Sequence, residues 1–453
     1  MIQDLKEARS SKTANKIKVS NPKRYSSSEE FETWFPYYAG YSPVFVDDIL
    51  KSLNHESECI LLDPWNGSGT TTHVASRHGI KSIGFDLNPV MVVAAKATHL
   101  SSTDYSSLLP LTHDILKKAK SYKSQYKGIE DPLSVWFLPQ NAYYIRSIEM
   151  AIQRLLVNTS KYAFLKDRGE IDDLSSLAAF FYVALFRTIR KFVASFNTSN
   201  PTWIKVPDKS HRLHPAESKI VSEFREQVNN MLTLNKQCEN KLFVRPRLGV
   251  ASSSAIPLES EFVDYIITSP PYCTRIDYAV ATLPELTLLG YSTENEFKDI
   301  RKSLIGSSTV PKHLPKLESD WGITCNAFLE QVLHHKSKAS ASYYYKNHMQ
   351  YFDSIYKSVK EIGRVLKPGG VCSVVVQDSY YKDIHNDLPK VFTEMFLNNQ
   401  LALIDQVDFV STRNMDRINP NNKKYRSQKD AVESVLILKK NHHTNGSNTR
   451  SDS

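Results

Sequence analysis

Three stretches predict an α/β protein built on a doubly wound parallel sheet. The first is an apolar run, Cys59-Ile60-Leu61-Leu62. It leads straight into Asp63-Pro64-Trp65-Asn66-Gly67-Ser68-Gly69-Thr70-Thr71-Thr72, then a helix to His78, then a second strand, Lys81 to Phe85, ending on Asp86. Strand, glycine turn, helix, strand and acid make one βαβ unit of such a sheet. The second is Ile266-Ile267-Thr268, apolar enough for a buried strand. Pro270 and Pro271 stop it by removing two backbone donors and fixing two φ angles. The third is a helix, Tyr351 to Leu366, whose end is marked by Lys367-Pro368-Gly369-Gly370. A strand from Val371 to Gln377 follows, with two further candidate strands at Ala402 to Val410 and Ala431 to Leu438.

With 453 residues, 41% hydrophobic and 23% charged, the chain can bury a sizeable core in one elaborated domain or two to three smaller ones. No apolar run reaches the roughly 18 to 20 residues of a membrane span, and Met1 to Lys23 is polar, Lys-rich and without an apolar signal core. These features predict a cytoplasmic protein with no membrane partner. Its five cysteines (Cys59, Cys238, Cys273, Cys325, Cys372) are far apart and form no CxxC pair, so they indicate neither a zinc site nor a disulfide framework. A formal charge of +9 and a pI of about 9.0 favour a polyanionic partner.

Taken in order, residues 1–24 and 440–453 are polar and aperiodic, which predicts disorder at both ends. An aromatic loop, Trp34 to Tyr41, precedes a helix with Ser42 as N-cap, Pro43 in its first position, and Val44, Val46, Ile49, Leu50 and Leu53 inward. Within the βαβ unit, Gly67 and Gly69 let backbone approach a ligand closely. Asp86 can accept hydrogen bonds from ribose hydroxyls, and Asn88-Pro89 open the helix Val90 to Leu100. The glycine pattern is neither GxGxxG nor GxxxxGK[ST], so phosphate cradling is not its use.

Residues 101–245 are helix-rich, with amphipathic patterns over Val135 to Leu156, Leu177 to Phe192 and Val221 to Leu234. Basic and polar side chains cluster between the last two, among them Arg187, Arg190, Lys191, Asn200, Trp203 and Lys205, a mixture suited to phosphates and splayed bases. A strand is expected within Lys241 to Ala251 and a helix at Leu283 to Leu289, with residues 300–346 irregular. The adjacent His334 and His335 do not make a metal site, because neighbouring side chains diverge and no carboxylate is spaced to help. Between the last two strands, Arg413, Arg417, Lys423, Lys424, Arg426 and Lys429 form a second basic loop.

At the double proline, a rigid turn presents the Ser269 hydroxyl, the Pro270 carbonyl and the Tyr272 ring, a set that suits a planar amine-bearing ring. Asp63 to Thr70 resembles the S-adenosylmethionine-binding motif of amino-methyltransferases, written DPFxGSGTT. Ser269-Pro270-Pro271-Tyr272 resembles their catalytic (S/N/D)PPY motif, and Phe35 to Ser42 is similar to their remaining cofactor motif. The resemblance covers roughly residues 30–100 and 245–440.

It implies a Rossmann-like class I methyltransferase sheet, mostly parallel with a reversed C-terminal hairpin, carrying a helical insertion. The implied division is 25–100 for the cofactor-binding half, 101–245 for the insertion and candidate target recognition, and 246–439 for the catalytic half. Cofactor precedes catalysis, the order called alpha. The implied cofactor is S-adenosyl-L-methionine, held by Tyr38, Ser42, Asp63, Pro64, Asn66, Gly67, Gly69, Thr70, Thr71, Asp86, Leu87 and Asn88. The implied substrate is duplex DNA, touched by Arg190, Lys191, Trp203, Arg275, Arg413, Arg417 and Lys424, with no metal. Where the family often has Gly-Asp-Ala, this chain has Ala251-Ser252-Ser253, so only a hydroxyl is left for the cofactor adenine.

SPPY is most often found in cytosine-N4 enzymes, whereas DPPY and NPPY are commoner in adenine-N6 enzymes. The expectation is therefore a site-specific cytosine-N4 DNA methyltransferase of a restriction-modification or related system, with a cognate restriction endonuclease as candidate partner. An adenine-N6 enzyme is second. An RNA base methyltransferase and an inactive nucleic-acid-binding scaffold follow.

Overall fold

The computed structural model describes residues 17–23, 34–35, 40–53, 58–122, 130–157, 161–200, 202–236, 244–273, 276–307, 310, 313–411 and 431–442. Tyr38, Arg275, Arg413, Arg417 and Lys424, with the rest of the second basic loop and most of the two polar ends, lie outside the described residues.

Seven strands form the main sheet: β1 (Ile60–Asp63), β2 (Lys81–Asp86), β3 (Arg247–Val250), β4 (Val263–Thr268), β5 (Leu366–Gln377), β8 (Leu401–Ser411) and β9 (Ala431–Lys440). A separate two-stranded ribbon pairs β6 (Ser379–Tyr381) with β7 (Ile384–Asn386). The order in the main sheet is β3-β2-β1-β4-β5-β9-β8. β1 to β5 run parallel where they pair, and β9 is antiparallel to both neighbours, giving the expected reversed C-terminal hairpin. Strand order reverses between β1 and β4, so connections leave their carboxyl ends in opposite directions and open a crevice there.

Alternation along the central strands buries both faces. Val375, Val435 and Ile437 pack with α1 (Pro43–Ser52) and α2 (Thr70–Arg77). Val374, Val376, Leu436 and Leu438 point the other way and share a core with residues of α8 (Ile323–His334), α9 (Tyr345–Val365) and α10 (Leu388–Leu397). α1 is capped as expected, with the Ser42 hydroxyl accepting from Val44 N and Pro43 in the first turn. α2 starts two residues earlier than expected, because Gly69 takes φ +93° and turns the chain directly into the helix.

The helical insertion contains α4 (Tyr105–Tyr122), α5 (Pro139–Ile152), α6 (Ser176–Val193) and α7 (Glu217–Lys236). It has no core of its own. Phe180, Tyr182, Phe186 and Phe224 share one apolar cluster with Val90, Val93 and Ala97 of α3 (Pro89–Ala97), the helix after β2. Two expectations need correction. Residues 300–346 are not irregular throughout, since Cys325, Phe328, Leu329 and Val332 give α8 a buried stripe. The segment Lys367-Pro368-Gly369-Gly370 belongs to β5, whose pairing with β4 shifts register between Val263 and Tyr265.

Candidate active site

The carboxyl end of β1 is braced from four directions. Asp63 Oδ1 accepts the Trp65 amide at 3.1 Å and the Thr268 hydroxyl at 2.6 Å, and Oδ2 accepts Thr71 Oγ1 at 2.6 Å and the Tyr41 hydroxyl at 3.0 Å. Burial pushes the Asp63 pKa above its ordinary value, against the pull of the hydroxyls and the amide. Burial and then the Asp63 charge hold the Tyr41 phenol well above its usual range. Thr268 is the last residue of β4 and Thr71 lies in the first turn of α2. One carboxylate therefore ties the glycine loop to the strand that carries the double proline. Its oxygens are spent on protein donors, so Asp63 positions this site rather than contacting a ligand through free lone pairs.

The end of β2 is different. Asp86 Oδ2 accepts the Gly67 amide at 3.0 Å and Oδ1 the Asn88 amide at 2.8 Å. Burial raises its pKa to about 6, with the nearby Asp63 charge adding to the rise and the two amides opposing it. A carboxylate offers about four lone-pair directions, so two remain for a diol. Gly67, at φ +50°, brings backbone close to this carboxylate. Gly84 lets the loop lie on β2, since a Cβ there would stand 2.5 Å from Asn66 Cγ. Asn66 N donates to Phe85 O at 2.9 Å, and the Asn66 side-chain oxygen accepts from Thr72 Oγ1 at 3.1 Å. Asn88 caps α3 and donates from Nδ2 to Thr282 Oγ1 at 2.8 Å. An acid with spare acceptors beside a glycine loop at the switch point fits a ribose-bearing cofactor. Ser252 is half-buried, 2.9 Å from Ser254 Oγ, at the end of the neighbouring β3.

The double-proline turn follows β4 directly. Ser269 Oγ donates to Val375 O at 3.3 Å, and Tyr351 OH donates to Pro271 O at 3.0 Å. The Tyr272 hydroxyl makes a short hydrogen bond to Glu433 Oε1 on β9. Cys273 Sγ lies 3.3 Å from His348 Nδ1. Beside the turn is a small recess lined by Cys273, Ser307, Asn347, Gln350, Tyr351 and Ser354 among others.

The basic candidates divide sharply. Arg190 makes a bidentate pair with the fully buried Glu285 (2.6 and 2.7 Å) and also donates to Ala281 O, an internal use of its charge. Lys191 next to it is exposed. Trp203 is 38% exposed, with the Arg301 guanidinium 5.8 Å from its ring, and Arg301 pairs with Asp277 at 2.6 Å. Those contacts bring the insertion beside the segment that follows the double-proline turn.

Sequence reasoning singled out neither Tyr41, Thr268 nor Glu433. The first two lie inside motifs whose other members drew the attention. Glu433 had its own signal, a lone acid in the apolar strand Val432-Glu433-Ser434-Val435-Leu436. Among the described residues no group of histidine, cysteine and carboxylate side chains is arranged to hold a metal, and no helix is long and apolar enough to cross a membrane.

A family model described as DNA methylase, of the N6/N4 type, matches residues 263–451. Type II methyltransferase M.MvaI of Kocuria varians is 25% identical over 362 residues, covering 74% of this chain and 74% of that protein. M.BsoBI of Geobacillus stearothermophilus is 23% identical over 319 residues, 65% of this chain and 60% of its own length. M.AvaI of Anabaena variabilis is 23% identical over 316 residues, 64% of this chain and 59% of its own length.

Proposed function

We propose, from the match of residues 263–451 to the N6/N4 DNA methylase family model, that the protein methylates the N4 amine of a flipped cytosine in duplex DNA, within a restriction-modification or related system. The observation that carries the reading is the 2.6 Å bond from Thr268 to Asp63. It fixes the turn Ser269 to Tyr272 against the glycine loop whose other side meets Asp86, which supports a reading in which the turn would hold the amine and the loop the cofactor.

S-adenosyl-L-methionine supplies an activated methyl group when bound. Asp86 would accept its ribose hydroxyls, and the Gly67 to Thr71 backbone would flank its remainder. The amine of cytosine is a weak nucleophile because its lone pair is delocalised into the ring. Ser269 Oγ already gives its proton to Val375 O, which leaves its lone pairs to accept one amine hydrogen, while the Pro270 carbonyl accepts the other. The two acceptors would draw the nitrogen toward tetrahedral geometry and free its lone pair to act as nucleophile. Tyr272 stacks on the base once it has left the duplex, and Pro271 keeps the turn rigid. Lys191 and Trp203 supply backbone and base contacts from the insertion. The serine of SPPY supports cytosine over adenine.

The test is transfer from labelled cofactor to duplex DNA, single-stranded DNA and RNA, followed by nucleoside mass spectrometry. N4-methylcytosine in duplex DNA is expected. N6-methyladenine would move the target to the second base, and label only in RNA would overturn the DNA assignment. Ser269→Ala should lower kcat by about 10²- to 10³-fold, the loss typical of one preorganised polar contact to a reacting centre, with cofactor affinity unchanged. Joint loss of both would make Ser269 structural.

A further inference from the structure

Glu433 on β9 is 1% exposed and lies between the half-buried Gln377 of β5 and Phe409 of β8. Burying an ionised carboxylate is costly unless it is paired and hydrogen-bonded. Its Oε1 accepts the Tyr272 hydroxyl, and Lys23 Nζ stands 3.7 Å from that same oxygen and 5.4 Å from the Tyr272 ring centroid. Its Oε2 is buried with no hydrogen-bond partner among the described residues. A buried phenol needs only a neutral acceptor, such as a backbone carbonyl. What a carboxylate adds is charge.

The direction of the protons along this chain of groups matters. The Tyr272 hydroxyl points its proton at Glu433, so the phenol oxygen turns its lone pairs away from that carboxylate. Burial and then the Glu433 charge hold the phenol well above its usual range. Ser269 gives its one proton to Val375 O. The serine oxygen therefore meets an incoming amine as an acceptor.

We propose that Glu433 is a positioning residue for methyl transfer: it locks the Tyr272 hydroxyl and so holds the Ser269 to Tyr272 turn, with the ring on which the target base stacks, against β9. A hydrogen bond to a carboxylate is about twice as strong as one to a neutral acceptor, so the ring is held more firmly than a backbone carbonyl would hold it. The proposal rests on the methyltransferase reading above.

The test is Glu433→Gln, which keeps the size and an acceptor and removes the charge, measured by steady-state methylation of duplex DNA with labelled cofactor. Cofactor affinity and thermal unfolding serve as controls for the fold. The expected result is a kcat lower by roughly ten- to hundredfold, the scale of one lost charge-assisted hydrogen bond, with KM for DNA and cofactor within about twofold. Because the effect passes through the phenol, Tyr272→Phe combined with Glu433→Gln should be no slower than Tyr272→Phe alone. Wild-type kcat in Glu433→Gln, or additive losses in the double variant, would overturn the proposal while leaving the methyltransferase reading intact. A wild type that transfers no methyl to any nucleic acid overturns both. If Glu433→Gln does not fold, Tyr272→Phe decides: a lower kcat with KM kept supports the lock on the ring, and an unchanged kcat overturns it.

Discussion

Asp63 and Asp86 end adjacent parallel strands on the same edge of the crevice, yet they are used in opposite ways. Asp63 gives its oxygens to Tyr41, Thr71, Thr268 and the Trp65 amide. Among the described residues, Asp86 accepts only the Gly67 and Asn88 amides. Both are pushed upward in pKa by burial, so the shift alone does not tell them apart. The hydrogen-bond count does. A strand-end acid whose acceptors are filled by protein donors is a brace, and one with acceptors left over is a place for a ligand.

The sharpest way to break this comparison is Asp63→Ala. It strands three buried hydroxyls that now share one carboxylate, and bonds to a charged group are worth about 1.5–3 kcal/mol each. Since these bonds form one network, the expected loss is on the order of 3–5 kcal/mol rather than their sum. Denaturant unfolding should show it, with cofactor binding and methyl transfer failing together. A variant that unfolds like wild type and loses only cofactor affinity would make Asp63 a ligand contact like Asp86.

Asp86→Ala is the converse and smaller test. The fold should be nearly unchanged, and the cofactor dissociation constant should rise by about ten- to hundredfold, since 1.4 kcal/mol corresponds to tenfold. The same carboxyl gives a pH dependence. Its pKa lies at about 6 in the folded protein against an ordinary 3.8. A raised pKa in an acid means that the stability it contributes is full below about pH 4 and is lost as pH rises through about 6. Ligand-free protein should therefore lose stability across that window. Cofactor affinity should rise over the same interval, because the ionised carboxylate is the better acceptor for hydroxyls. Calorimetric titration at pH 5 and pH 7.5 checks this, and a slope that persists in Asp86→Asn would assign the effect elsewhere.

The sheet was largely legible because its signals are local. A strand running into glycines, an acid ending the next strand and two prolines ending a third each constrain the backbone within a few residues. The insertion was legible as helices but not as packing: its periodicity shows an apolar face, and nothing in the periodicity says that this face continues the core of α3. The same limit applies to the site. Asp63 and Ser269 stand out within their motifs, whereas Thr268 meets Asp63 across 205 residues and Tyr272 meets Glu433 across 161, separations that only the sheet order closes. Arg190 shows the reverse error. It reads as a nucleic-acid contact in a basic run, and its partner Glu285 lies 95 residues away.

That pair extends the Asp63 and Asp86 comparison to cations and yields the smallest expected effect. Arg190 has both forks of its guanidinium on a buried carboxylate, while its neighbour Lys191 is exposed. A phosphate neutralised by one lysine contributes a slope of about −0.9 to the dependence of log K on log salt for duplex DNA. Lys191→Ala should therefore weaken binding to specific and non-specific duplexes alike, flatten that slope by about one unit, and leave kcat at saturating DNA unchanged. Titrations of labelled duplex at several salt concentrations read it directly. An unaltered slope would take Lys191 out of the interface and shift the backbone contacts of the insertion toward Trp203 and its neighbours. A change confined to the specific duplex would instead make Lys191 a reader of sequence rather than of charge.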